Sequence, residues 1–150
     1  MPRLARKNFE TSFYHIMVQG IKKEYIFRDT ISMEKYVKLI LKEKEKFGLE
    51  LLAYCVMSNH AHILIYTEKI SQMSEYMHTI NQKFAQFYNK INNERVGYVF
   101  RDRFKSEPIY NEMQLIRCIK YIHSNPVKAK MVEKPIEYVY SSYKEYLKKM

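Results

Sequence analysis

Apolar positions along this chain change period several times, and each change marks an element. Phe13-Tyr14-His15-Ile16-Met17-Val18 is dense in aromatic and β-branched residues and stops at Gly20, which predicts a strand. From about Ser32 to Phe47 the period becomes helical. Tyr36, Val37, Ile40, Leu41 and Phe47 share a side, Ser32 offers an N-cap, and Gly48 stands just past the end. Leu49 to Met57 and His60 to Tyr66 read as strands parted only by Ser58-Asn59. That separation predicts a tight hairpin, since Asn tolerates positive φ. A long helix follows from about Ser71 to Asn92, where Met73, Met77, Ile80, Phe84, Phe87, Tyr88 and Ile91 step by three and four as a core stripe. Gly97 to Lys105, if extended, sets Arg101, Arg103 and Lys105 on one face and Phe100, Asp102 and Phe104 on the other. A third helix spans about Glu112 to Ser124 and is limited by Pro126, because the residue before a proline disfavours helical torsions. Pro135 to Met150 reads as a turn and a short helix.

The order strand, helix, hairpin, helix, strand-like segment, helix predicts an α+β chain: a ferredoxin-like antiparallel sheet with packed helices. The 150 residues carry no internal repeat, low-complexity tract or linker, so one domain over 1–150 is expected, with a basic N-terminal arm and a short C-terminal helical tail. Cys55 and Cys118 lie far apart with no CxxC, as in reduced thiols of a cytosolic protein. No apolar run approaches a membrane span, so a soluble, cytoplasmic protein is expected. Charge adds a partner class. The excess of 26 Lys+Arg over 16 Asp+Glu, net +10, creates a field that draws polyanions, nucleic acid first and a membrane surface second.

Candidate chemistry begins at Asn59-His60-Ala61-His62-Ile63-Leu64-Ile65. On a strand, His60 and His62 point one way while Ala61, Ile63 and Ile65 point the other. Two imidazoles side by side suit a divalent cation but leave its coordination incomplete; a half-buried pair with no metal fits the spacing equally. On the third helix, Leu115, Ile116, Ile119 and Ile122 cluster on one side, with Gln114, Arg117, Tyr121 and Asn125 roughly opposite. A phenol one turn from a guanidinium could attack a phosphate. Tyr121 could equally be an amphipathic surface residue, and Asn125-Pro126 a cap and first residue of a new turn.

These segments resemble a known family. Val56-Met57-Ser58-Asn59-His60-Ala61-His62-Ile63-Leu64-Ile65 is similar to the HUH (histidine-hydrophobe-histidine) signature of single-tyrosine transposases, and Tyr121-Ile122-His123-Ser124-Asn125-Pro126-Val127-Lys128-Ala129 to the tyrosine motif of their REP-associated branch. Pro2-Arg3, Tyr14-His15, Ile26-Phe27, Phe100-Arg101-Asp102-Arg103-Phe104-Lys105-Ser106 and Ser141-Ser142-Tyr143 also correspond, in order and over almost the whole chain. The chain departs at Gln19-Gly20, where the family often has Arg-Gly, at Ser58 in place of Pro, and at Tyr140 in place of Trp. None of these removes a catalytic group of the family pattern, although Gln19 could alter DNA contacts near the first strand.

The resemblance implies a fold of HUH endonuclease type and a metal-dependent nuclease and strand transferase on single-stranded DNA, most often repeat hairpins. His60, His62 and Asn125 would bind Mg²⁺ or Mn²⁺, with Zn²⁺ tight but inactive. Tyr121 would attack phosphorus and form a 5′-phosphotyrosine. A free phenol has a pKa near 10, so a base is needed; none is identified, and His123 differs from Tyr121 in helical direction. Arg3, Arg6, Lys7, Arg101, Arg103, Lys105, Arg117 and Lys128 would contact DNA, with Lys130 nearby. No membrane and no small-molecule substrate are expected, a nucleoid-associated location follows from the DNA target, and a homodimer fits without being required. A non-catalytic single-stranded DNA or RNA-binding module is the alternative, and a structural metal protein a third reading.

Overall fold

Alternation along β1 (Phe13–Gln19) decides how the molecule is layered. Its even-numbered residues Tyr14, Ile16 and Val18 are buried on one side, and Phe13, His15, Met17 and Gln19 are left for the other. The computed structural model describes residues 11–148. In chain order the remaining elements are α1 (Thr30–Glu43), β2 (Glu50–Val56), β3 (His60–Tyr66), α2 (Ile70–Ile91), β4 (Lys105–Ile109), α3 (Glu112–Lys128) and α4 (Tyr143–Lys148). Short 3₁₀ turns occupy Ile21–Lys23 and Pro135–Glu137. The sheet runs β2-β3-β1-β4 with every pairing antiparallel. Strand, helix, hairpin, helix and strand in that order give the ferredoxin-like α+β arrangement expected from the periodicity.

Two cores flank this sheet. Under α1 and α2, Ile16, Val18, Ala61, Ile63 and Ile65 meet Tyr36, Ile40, Met73, Met77, Ile80 and Phe84. Across the opposite face, Ala53, Cys55, Met57, Leu64 and Ile109 meet Ile122 of α3 and Tyr138. His62 belongs to this second face, since Cys55 and Met17 are its neighbours across the ladders. The hairpin closes as expected, with Met57 N–H donating to the His60 carbonyl at 2.8 Å.

Four local expectations change. Helix α1 starts two residues before Ser32, because the Asp29 carboxylate accepts from Ser32 N–H at 2.7 Å and is the N-cap. It ends at Glu43, and the following turn closes on Gly48 at φ +68°, a torsion that favours glycine. The 97–104 segment is not a strand: Arg101, Arg103 and Lys105 do not share an extended face, and only Lys105 enters β4. Phe104 and Val99 anchor that loop in the first core instead. Helix α3 continues through Pro126 to Lys128. The proline nitrogen cannot donate, but Ala129 N–H bonds to the Asn125 carbonyl at 2.9 Å and Met131 N–H to the Pro126 carbonyl at 2.9 Å, so the last turn is held from below. Leu41, Ile91 and Ile116, placed on apolar helix faces by their spacing, are 43%, 43% and 46% exposed.

Candidate functional site

The hairpin and α3 bring the chain's two chemical motifs to the same face of the sheet. His62 sits on β3 with its side chain buried. The rings of His60 and His62 have centroids 5.1 Å apart. The Tyr121 ring stands nearly perpendicular to the His62 ring, at 84° and 5.4 Å between centroids. A third imidazole joins them: His15 of β1 lies 6.0 Å from Tyr121 by ring centroids, and its Nε2 is 3.0 Å from Nδ1 of His62. Lys128 Nζ is 5.3 Å from the centre of the Tyr121 ring, a cation–π contact.

Tyr121 is 43% exposed yet touches the sheet because it lies on the flank of α3. Gln114, Arg117, Cys118 and Tyr121 recur at three- and four-residue steps and line a cleft of about 550 Å³ together with His15, His62, Lys105 and Glu107. Arg117 and Lys105 give this cleft two cations. Arg101 and Arg103 line a separate groove against α2, where Arg101 Nη1 donates to Gln19 Oε1 at 3.3 Å. Arg3, Arg6 and Lys7 lie outside the described residues. Gly20, at the site end of β1, must be glycine: a Cβ there would meet the Glu24 carbonyl oxygen at 2.3 Å.

Burial sets the electrostatics of the imidazoles. The His62 pKa is pushed down to about 3, first by desolvation and then by its neighbours His15 and His60. Burial also lowers His60, and lowers His15 against the opposing charge of Glu107. All three rings are therefore neutral near pH 7 and carry lone pairs.

A divalent cation can be tested against the polar atoms left without partners. His62 Nε2 is buried and unpartnered, as is the amide nitrogen of Asn125. A half-turn of the Asn125 amide puts its carbonyl oxygen in that place, which suits a cation. His60 Nδ1–H donates to Asn59 Oδ1 at 2.8 Å, leaving Nε2 for another partner. The residues fit a mixed nitrogen and oxygen site. Among the described residues no group of three or more His, Cys, Asp and Glu could hold a metal, so such a site would rest on two imidazoles and an amide. Asn125 lies inside α3, not at the start of a new turn, so the capping alternative is removed.

His123, close to Tyr121 in sequence, turns away from the cleft. It is buried, hydrogen-bonded through Nε2 to Ser142 Oγ at 2.8 Å, and packed on Tyr143 and Tyr146. His15 and Glu107 were not singled out by sequence reasoning as site residues. Their signal was parity: His15 is a polar residue in an apolar strand, two positions from Met17, which pairs with His62.

Comparisons with known proteins bear on the fold and the family. The sequence profile of the family described as "Transposase IS200 like" matches residues 8–125. A Haemophilus influenzae protein described as a REP-associated tyrosine transposase is 24% identical over 140 residues, covering 87% of this chain and 78% of that protein. A solved structure of a REP-associated tyrosine transposase bound to a REP hairpin superposes with a TM-score of 0.78 at 18% identity, over 97% of this chain and 84% of the other. A crystal structure of a Deinococcus radiodurans protein described as a transposase gives 0.52 at 14% identity, over 82% and 97%. The superpositions establish the shared fold, and no helix among the described residues is long and apolar enough to cross a membrane. Because the profile spans residues 8–125, most of the chain, the chain belongs to the family of IS200-like transposases, enzymes that nick and rejoin DNA.

Proposed function

We propose that this chain acts as a REP-associated tyrosine transposase, cutting and rejoining single-stranded DNA beside a hairpin with Tyr121 as nucleophile. The observation that carries the reading is the Tyr121 ring packed edge-on against His62 and His15 in a cleft with Arg117 and Lys105. The hairpin partner is suggested by the relative solved with a REP hairpin and by the net charge of +10. Its working place would be the cytoplasm, on chromosomal DNA.

In the forward step the Tyr121 oxygen bonds to phosphorus and the bond from phosphorus to the 3′ oxygen breaks. The phenol gives up its proton, and the leaving 3′ oxygen takes one to become a hydroxyl. The 5′ end stays on Tyr121. Attack by another 3′-hydroxyl reverses the step and joins strands, because the phosphotyrosine keeps the energy of the broken diester. His60, His62 and Asn125 would hold Mg²⁺ or Mn²⁺, which when bound polarises the phosphate and offsets charge growing on its oxygens. Arg117 and Lys105 would grip the flanking phosphates, and Lys128 would steady the phenol ring.

Incubation of the protein with a single-stranded oligonucleotide flanking a hairpin, plus Mn²⁺, tests the reading. A denaturation-resistant protein–DNA adduct is expected with wild type and none with Tyr121→Phe, which should still bind the oligonucleotide. Binding without any adduct in wild type would return the chain to a non-catalytic nucleic-acid-binding module.

A further inference from the structure

The proposed chemistry leaves one imidazole that lines the cleft, the half-buried His15, without a task. His15 extends the face that carries His60 and His62, and its Nε2 is within hydrogen-bond distance of His62 Nδ1. One hydrogen is shared between these two nitrogens, so the pair has two arrangements. If His15 donates, the proton of His62 sits on Nε2, where a buried donor has no partner. If His62 donates, its Nε2 keeps a lone pair in that same buried place, and a cation can use it. Among the described residues no hydrogen-bond partner reaches that nitrogen.

We propose that His15 is a positioning residue: its Nε2 accepts the Nδ1–H of His62 and thereby holds His62 in the tautomer and orientation that leave Nε2 free to bind a divalent cation. The proposal rests on the reading of His62 as a cation ligand. Glu107 faces His15 across the β1–β4 ladder, and its negative charge acts on the His15 ring. The row Glu107, His15, His62 thus runs across two strand pairings into the site, a carboxylate behind two imidazoles. Asn59 holds His60 in the same way, through its Nδ1–H. Both imidazoles of the hairpin are therefore fixed from the Nδ1 side.

Two measurements test this. Long-range ¹H–¹⁵N spectra of metal-free wild type report the His62 tautomer, and the Nδ1–H form is expected; an Nε2–H form overturns the proposal. Mn²⁺ affinity, read by electron paramagnetic resonance of the free ion, is then compared among wild type, His15→Phe and His15→Gln. Phe removes the acceptor and is expected to weaken Mn²⁺ binding by roughly 10–100-fold. Gln places an acceptor oxygen near the position of Nε2 and should recover most of the affinity. Adduct formation by His15→Phe should return as Mn²⁺ is raised, whereas a nucleophile defect would not. Wild-type affinity in a folded His15→Phe overturns the role of His15 and leaves the ligand role of His62 standing. Absence of Mn²⁺ binding in wild type overturns that underlying reading and this one with it. Should His15→Phe not fold, the wild-type tautomer alone decides.

Discussion

At the scale of single residues, burial holds histidines neutral that water would leave half-charged near pH 6.5. His123 is pushed down to about 4 and His62 to about 3, both chiefly by desolvation, against an ordinary value of 6.5. As pH falls below 6.5, the unfolded chain takes up protons that the folded chain refuses. Stability is therefore full above that value, falls on acidification towards pH 4, and levels only as the folded rings titrate. The urea midpoint is expected to drop between pH 7 and pH 5. His123→Gln, which keeps a polar partner for Ser142, should flatten part of that dependence. A pH profile identical to wild type would show that His123 does not contribute. His123 also ties α3 to β2, because Ser142 Oγ accepts from Tyr54 N–H at 2.9 Å.

At the scale of elements, helix α1 shows how a local sequence signal can mislead. Ser32 has the chemistry of an N-cap, but Asp29 stands three residues earlier and its carboxylate reaches Ser32 N–H. The Ser32 hydroxyl is buried without a partner. Asp29→Ala should cost about 1 kcal/mol of stability in thermal or urea unfolding. Ser32→Ala should be neutral or stabilising, because it removes an unsatisfied buried hydroxyl; the reverse ranking would restore Ser32 as the cap. The strands and the α2 stripe were legible because apolar period alone defines them. Boundaries were not, wherever a tertiary bond decided them. Pro126 reads as a stop, yet carbonyls of Asn125 and Pro126 find donors beyond it and the helix persists. Gly97 to Phe104 alternates like a strand, but the burial of Val99 and Phe104 pulls it into a loop. The candidate site was half visible. The His60–His62 spacing and the helical step to Tyr121 and Asn125 could be read along the chain, whereas His15 and Glu107 join only through strand register.

At the scale of the whole molecule, charge and topology work together. The sheet carries its helical core on one face and leaves the other to α3, so the cleft opens on a rigid floor of strands. Cations ring it unevenly: Lys105 and Arg117 line it, Lys128 covers Tyr121, and Arg101 is engaged with Gln19 on a neighbouring groove. Affinity for single-stranded DNA should fall steeply with salt, and Arg117→Ala should lower the slope of log affinity against log salt by about 0.7, the share of one phosphate. Titration of a labelled hairpin oligonucleotide across salt concentrations checks this; an unchanged slope would place Arg117 outside the DNA path.

The account depends on a cation and a phenol meeting across α3 and the hairpin. Anomalous diffraction from crystals grown with Mn²⁺ and a hairpin oligonucleotide tests that meeting most directly. One strong peak bonded to His60, His62 and Asn125, beside the Tyr121 hydroxyl, is the expected result. Manganese bound elsewhere, with both hairpin imidazoles bare, would contradict it.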